Sequence, residues 1–214
     1  LNVAAQEAAY RSEELFEHQK QFIGNASHEL QTPLAILGNR IEWLLDNTEP
    51  NEKQVEELFK MQRSLNHIVR LNKTLLLLTK IENGQFPEST DVDIAALIRE
   101  QVPLYNEIYE SRHIICQLDL PDRFVVSMND SLASTLVTNL LKNAYVHTDP
   151  NHVIDIALHG RTLTIANDGN APLDAEHIFD RFYQGNKKEG STGLGLALVK
   201  AVCHYYNCDI AYRY

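Results

Sequence analysis

The sequence holds no run of Lys and Arg longer than Lys187-Lys188 and carries a formal net charge of -10. It therefore lacks the basic face that nucleic-acid phosphates require. Its three cysteines, Cys116, Cys203 and Cys208, are odd in number and include no CxxC pair. That argues against a disulfide framework or a cysteine zinc site and points to a reducing compartment. No run of Leu, Ile and Val exceeds Leu75 to Leu78, far short of a membrane span, and the opening Leu1-Asn2-Val3-Ala4 is not a signal peptide. No internal repeat is present, and the histidines other than His28 show no metal-ligand spacing. What is there is 214 residues, 44% of them hydrophobic, enough to bury the cores of two modest domains without staples.

The first domain reads as a long helical hairpin. From residue 1 to about 45 the apolar positions keep helical spacing, interrupted only by Pro33, and residues 46–51 form a turn. Helical spacing resumes over 52–82 through Val55, Leu58, Met61, Leu65, Ile68, Leu71, Leu75 and Leu78. At about 100° per residue, Phe16, Ile23, Leu30, Leu34, Leu37, Ile41 and Leu44 gather within about 40° of Leu30. His28 lies about 160° from that stripe, with Thr32 beside it and Glu29 at its flank, so it is displayed outward. A hairpin with so wide an apolar face is expected to dimerise into a four-helix bundle; an intramolecular coiled-coil spacer is the plainer alternative.

Residues 84–92 read as a linker, after which the rhythm changes. A helix is expected over 95–111, strands over 113–120 and 124–127, and a helix from Asp130 to about Val146. Strands at 153–158 and 162–166 flank a tight turn at His159-Gly160-Arg161. Residues 169–195 hold five of the chain's nine glycines; a helix over 194–206 and a strand over 209–214 close the pattern. The whole is α+β: a helical hairpin, then a mixed α/β domain with a glycine-rich loop on one side.

Four segments of this second domain suit parts of a nucleotide. Asn139 and Asn143 lie one helical turn apart, so their amide oxygens can converge on a hard cation, although a solvated helix face would show the same pair. Ile165-Ala166-Asn167-Asp168-Gly169 ends an apolar run in a polar turn, which fits an acceptor for an adenine amine or a simple Asx turn in a hairpin. Gly190-Ser191-Thr192-Gly193-Leu194-Gly195 enters a helix and can aim backbone N–H groups at a phosphate, yet has neither the P-loop ending nor the Rossmann spacing. Phe179-Asp180-Arg181-Phe182-Tyr183 offers an aromatic and charged anchor for a folding lid.

In order and spacing, His28 with its flanks, Asn139 to Asn143, Asn167 to Gly169, Phe179 to Tyr183 and Gly190 to Gly195 resemble the H, N, G1, F and G2 boxes of sensor histidine kinases. The resemblance covers nearly the whole chain. It implies a dimerisation and histidine-phosphotransfer hairpin at 1–83, a linker at 84–92, and at 93–214 an α/β sandwich ATP-binding domain of the GHKL (Bergerat) type shared with gyrase-like topoisomerases and heat-shock chaperone ATPases. On that basis His28 is the phosphoacceptor, Glu29 its proton acceptor, and Thr32 the residue that places water for dephosphorylating a partner. Asn143 is the implied Mg2+ ligand with Asn139 in support, His147 packs on adenine, and Asn167 reads it. Gly169, Arg181, Lys187, Gly193, Leu194 and Gly195 complete the implied ATP-binding set.

The implied partners are a second copy of the chain and the receiver domain of a response regulator. Upstream segments would anchor the chain to a bacterial inner membrane, with this portion cytoplasmic. The chain departs from the family pattern at Val146, where Lys or Arg is common, at Asn167 in place of Asp, and at Ala171 in place of Gly; Lys142, Lys187 and Lys188 are the candidates to replace the missing charge. Val146 alone supports the alternative of a catalytically impaired nucleotide-binding scaffold. A chaperone-like ATPase is disfavoured by the hairpin that bears His28. The chain is expected to be a fragment lacking the last strand of its second domain.

Overall fold

A computed structural model describes the backbone at residues 2–169, 171–185 and 192–214, and the side chains of these except at 2–9 and 11–23. The expectations placed on Phe16, Ile23, Lys187, Lys188, Gly190 and Ser191 lie outside the described residues. The chain divides into two compact units, residues 1–83 and 84–214.

The first unit is a pair of helices, α1 (Asn2–Asn47) and α2 (Glu52–Glu82). Asn51 starts α2 through a capping box: its side chain accepts from Gln54 N at 3.0 Å and its N–H donates to Gln54 Oε1 at 2.9 Å, so two terminal donors are satisfied reciprocally. Gly84, at φ +67°, ends α2 in a conformation that favours glycine. Leu34, Ile41 and Leu65 form the buried centre of the pair, with Leu45, Leu58 and Val69 packed around them.

The single stripe expected on α1 is divided. Leu34 and Ile41 turn to α2, whereas Leu30, Leu37 and Leu44 are 47%, 53% and 39% exposed. The reason is angular, because the face that meets α2 runs through Ser27, Leu34, Ile41 and Leu45 and is centred about 50° from Leu30. The wide apolar face thus has one flank inside the hairpin and one outside it.

Among the described residues the second unit has two small sheets and three α-helices. Strand β1 (Thr90–Asp93) pairs antiparallel with β3 (Val125–Met128). A second sheet has the order β2-β4-β5, with β2 (Ile115–Asp119) parallel to β4 (Val153–His159) and β4 antiparallel to β5 (Thr162–Asn167). Burial alternates along β4, where Ile154, Ile156 and Leu158 are buried and Asp155 and His159 exposed, the period-two pattern of a strand with one face on the core. Helix α4 (Asp130–His147) packs between α3 (Ile94–Ile108) and α5 (Gly195–Tyr205) and against β5. Its Leu132, Val137, Leu141 and Tyr145 supply the core with Ile98, Ile154, Ile156 and Val199.

Two expectations need correction. The linker does not extend to residue 92, because Thr90–Asp93 is strand β1, hidden in the sequence by having Val92 as its one apolar residue. Residues 209–214 form no strand, although Ile210 and Tyr212 are more buried than their neighbours as strand alternation requires. Their tyrosines are used otherwise: the Tyr212 hydroxyl accepts from Leu173 N at 3.1 Å and the Tyr214 hydroxyl donates to Gly169 O at 3.4 Å.

Candidate functional site

In the first unit His28, Glu29 and Thr32 are all exposed on α1, as their angular position requires. Pro33, inside the helix, has no N–H to give to the Glu29 carbonyl, so one backbone hydrogen bond is missing in the turn that carries His28 and Thr32. Behind His28, Ser27 is buried and its carbonyl accepts from Asn72 Nδ2 at 2.6 Å. Asn72 was missed in the sequence; its signal is a lone amide at seven-residue spacing between Leu65 and Thr79.

In the second unit the N-box and G2-box residues meet. Asn139 Nδ2 donates to Thr135 O at 2.8 Å, which orients the amide and leaves Oδ1 beside Gly195; a Cβ on Gly195 would lie 3.2 Å from that oxygen. Asn143, one turn along α4, is half-buried like Asn139. Leu194 is fully buried and supplies no side-chain cap to α5, so the opening amides of that helix are not satisfied by their N-cap residue. Uncapped N–H groups with the positive end of a helix dipole are suited to a phosphate.

The F-box and G2-box segments are stapled through their backbones. Phe182 N donates to Gly193 O at 2.8 Å, and both residues have φ +66°. A Cβ on Gly193 would fall 2.7 to 2.9 Å from the Phe182 main chain, so only glycine fits. Arg181, adjacent, is half-buried. The flank of this loop is organised by Asp174, whose carboxylate meets His177 Nδ1 at 2.8 Å and whose N–H donates to the Tyr183 hydroxyl at 3.3 Å. The His177 hydrogen bond holds the Asp174 carboxyl below its ordinary value, and reciprocally that carboxylate raises His177.

Asn167 ends β5, exposed, with Nδ2 donating to Asp168 O at 3.2 Å. Asp168 pairs with His152 Nδ1 at 2.8 Å. His147 is half-buried in the last turn of α4, where Arg112 closes the helix: its Nη1 donates to Tyr145 O at 2.6 Å and Val146 O at 3.4 Å, and its Nη2 to Thr148 O. Tyr145 beneath is buried, donates to Asn106 Oδ1 at 2.6 Å, and has its hydroxyl pKa driven well above the ordinary range by burial first and its neighbour Cys116 second. Nothing in the sequence singles out Arg112, because its role depends on where α3 delivers it.

Asn139 therefore meets Gly195, Gly193 meets Phe182, and Asn167 ends the strand packed on α4. Lys187 lies outside the described residues. Among the described residues no three His, Cys, Asp or Glu side chains gather as a metal site. A hard cation here would need the amide oxygens of Asn139 and Asn143, and the former faces the space that a side chain at 195 would fill.

Two family models match the chain: "His Kinase A (phospho-acceptor) domain" over residues 18–84, and "Histidine kinase-, DNA gyrase B-, and HSP90-like ATPase" over 128–213. The heme sensor protein HssS of Staphylococcus epidermidis is 31% identical over 200 residues, covering 90% of this chain and 44% of that protein. The probable sensor histidine kinase TcrY of Mycobacterium tuberculosis is 34% identical over 207 residues, covering 89% and 42%. The chain thus spans less than half the length of these relatives. Full-length ShkA in complex with AMPPNP shares the fold at a TM-score of 0.70 and 21% identity, over 87% of this chain and 41% of that one. The Acinetobacter baumannii histidine kinase AdeS does so at 0.54 and 23%, over 83% and 86%.

Proposed function

Because the chain belongs to the sensor histidine kinases, we propose that it binds ATP in its second unit, phosphorylates itself on His28, and passes the phosphoryl group to an aspartate of a response-regulator receiver domain. The observation that carries the nucleotide part is the meeting of Asn139 Oδ1 with Gly195 at the uncapped start of α5, which sets cation-binding oxygen beside phosphate-binding N–H groups. His28, exposed with Glu29 next to it, supplies the acceptor.

In the transfer step His28 Nε2 attacks the γ-phosphorus. The N–P bond forms as the bond from phosphorus to the bridging oxygen breaks, ADP departs with that electron pair, and Glu29 takes the imidazole proton. Asn143, with Asn139 in support, would hold Mg2+, which when bound offsets the charge of the β- and γ-phosphates. His147 packs on the adenine and Asn167 Oδ1 accepts from its amine, while Gly169, Arg181, Gly193 and Leu194 line the remaining path; Lys187, outside the described residues, is assigned to the ATP-binding set by the family pattern alone. The imidazole then loses the phosphoryl group to the regulator's carboxylate as the N–P bond breaks and a P–O bond forms. Thr32 places the water that later hydrolyses that acyl phosphate.

The working form is a homodimer, supported by the apolar flank of Leu30, Leu37 and Leu44 on α1 and of Met61 and Ile68 on α2, all left exposed. Among the described residues no helix is long and apolar enough to cross a membrane. On this reading the chain is the cytoplasmic, ATP-using portion of a bacterial inner-membrane sensor.

Incubation with γ-labelled ATP tests the proposal. The expected product is acid-labile and base-stable, carries label on His28, and is lost in His28→Ala, which still binds nucleotide because the acceptor and the pocket are on separate units. A chain that binds ATP and never acquires label would be a nucleotide-binding scaffold instead.

A further inference from the structure

The seam between α1 and α2 changes character along its length. Toward the hairpin turn it is apolar, built from Leu34, Ile41 and Leu65 with Leu45, Leu58 and Val69. Behind His28 Leu76 is still buried on α2, but small and polar residues join it: Gly24, whose Cβ position would lie 3.5 Å from Thr79 Cγ2, then Ser27, Asn72 and Thr79, the last three all buried. Small side chains interdigitate little, so packing resists sliding of α1 past α2 less beside the acceptor than toward the turn. A directional contact adds to it. Asn72 is 5% exposed, Ser27 is 3% exposed, and the amide donates to the Ser27 carbonyl at 2.6 Å, one residue before His28.

We propose that Asn72 is a positioning residue for the phosphotransfer reaction, fixing the height of His28 on the hairpin by holding the Ser27 carbonyl. The inference rests on His28 being the phosphoacceptor. A lone buried amide in an apolar helix seam specifies register at some cost in stability, because a slipped pairing leaves it without a partner. A slip of one residue moves a helix by about 1.5 Å along its axis. That is more than an in-line attack tolerates, since the acceptor nitrogen must stand within contact distance of the phosphorus and in line with the departing oxygen. Asn72 touches neither substrate nor imidazole, so its effect is confined to reactions in which another part of the protein delivers the phosphoryl group.

Two phosphoryl donors separate positioning from mere support. ATP must be presented by the second unit, whereas potassium phosphoramidate diffuses to the exposed imidazole and exchanges its N–P bond for that of His28, with ammonia leaving. In Asn72→Leu, an apolar replacement of similar size, ATP-driven labelling of His28 is expected to fall about tenfold or more in kcat with KM for ATP unchanged. Labelling by phosphoramidate should stay within twofold, and the melting temperature should hold or rise, since the buried amide is gone. Asn72→Gln, which keeps the donor, should recover part of the lost rate.

Equal ATP-driven rates in Asn72→Leu and the unmodified chain would overturn the inference. So would parallel loss of both labelling reactions with a lowered melting temperature, because Asn72 would then only hold the hairpin together. A chain whose His28 takes phosphoramidate and never takes the phosphoryl group of ATP would overturn the kinase reading itself, and this inference with it.

Discussion

At Gly193 and Gly195 the same residue type answers two different constraints. Gly193 has φ +66° and no room for a Cβ against the Phe182 backbone, so conformation and space both demand glycine. Gly195 is helical, and among the described residues only the Asn139 amide oxygen, 3.2 Å from where a Cβ would stand, opposes a side chain. Gly195→Ala should leave the fold intact, and the better helix former should stabilise α5 slightly. The displaced amide should weaken the magnesium-dependent part of nucleotide binding by about tenfold, the size of one compromised hydrogen-bonding or ligand contact. Titrating a fluorescent ATP analogue with and without Mg2+ gives the check: the metal-free affinity should stay within twofold. An equal loss in both measurements would show that Gly195 serves a phosphate contact and that Asn139 is remote from the ion.

At the scale of elements, the junction of β1 and α3 depends on one carboxylate. Asp93 ends β1 and caps α3, and its Oδ1 accepts from Phe124 N at 3.0 Å, Ala95 N at 3.1 Å and Ala96 N at 3.2 Å. The Phe124 N–H does most to hold this carboxyl below its ordinary pKa, and the two cap donors add to it. Because the folded value is the lower one, the contribution is fully present above the ordinary aspartate range and is lost as pH falls through the folded pKa. Acid unfolding of the second unit should therefore be less steep in Asp93→Asn, which keeps an acceptor oxygen and has no proton to gain. Circular dichroism between pH 5 and 2 at fixed temperature would read it, and an unchanged profile would assign the acid sensitivity to other carboxylates. The sequence suggests little of this junction, since Glu88-Ser89-Thr90-Asp91 has linker composition and β1 exists only through its pairing with β3.

For the whole molecule, the proposed assembly turns on the outer flank of the hairpin. Leu30, Leu37 and Leu44 recur at seven-residue spacing on α1, and Met61 and Ile68 do so on α2, all exposed in one chain. Two such flanks packed together would bury what a single copy leaves in water, at about 25 cal/mol per Å2 of apolar area. A charge at the centre of that flank would have to be desolvated without a partner. Leu37→Glu is expected to shift the chain from dimer to monomer at micromolar concentration in sedimentation velocity, with helix content largely kept. A dimer unaffected by the change would place the interface elsewhere.

Local chemistry determined what could be read from the sequence alone. Apolar periodicity set both long helices and the strands that face a core, the turn at 46–51 and the linker from 84 bounded α2, and 100° per residue put His28 outward. The order of polar and glycine-rich segments carried the family resemblance, because each segment suits its part of a nucleotide through its own residue types. Only the tertiary structure decided which parts meet: Asn139 with Gly195, Phe182 N with Gly193 O, Arg112 with the carbonyls at the end of α4, and Asn72 with Ser27. Likewise it divided one stripe on α1 between the hairpin seam and an outer flank, and left residues 209–214 without a ladder. The physical reason is common to all of these. Periodicity fixes the direction of a side chain about its own element, while its partner is chosen by the packing of elements far apart in the chain.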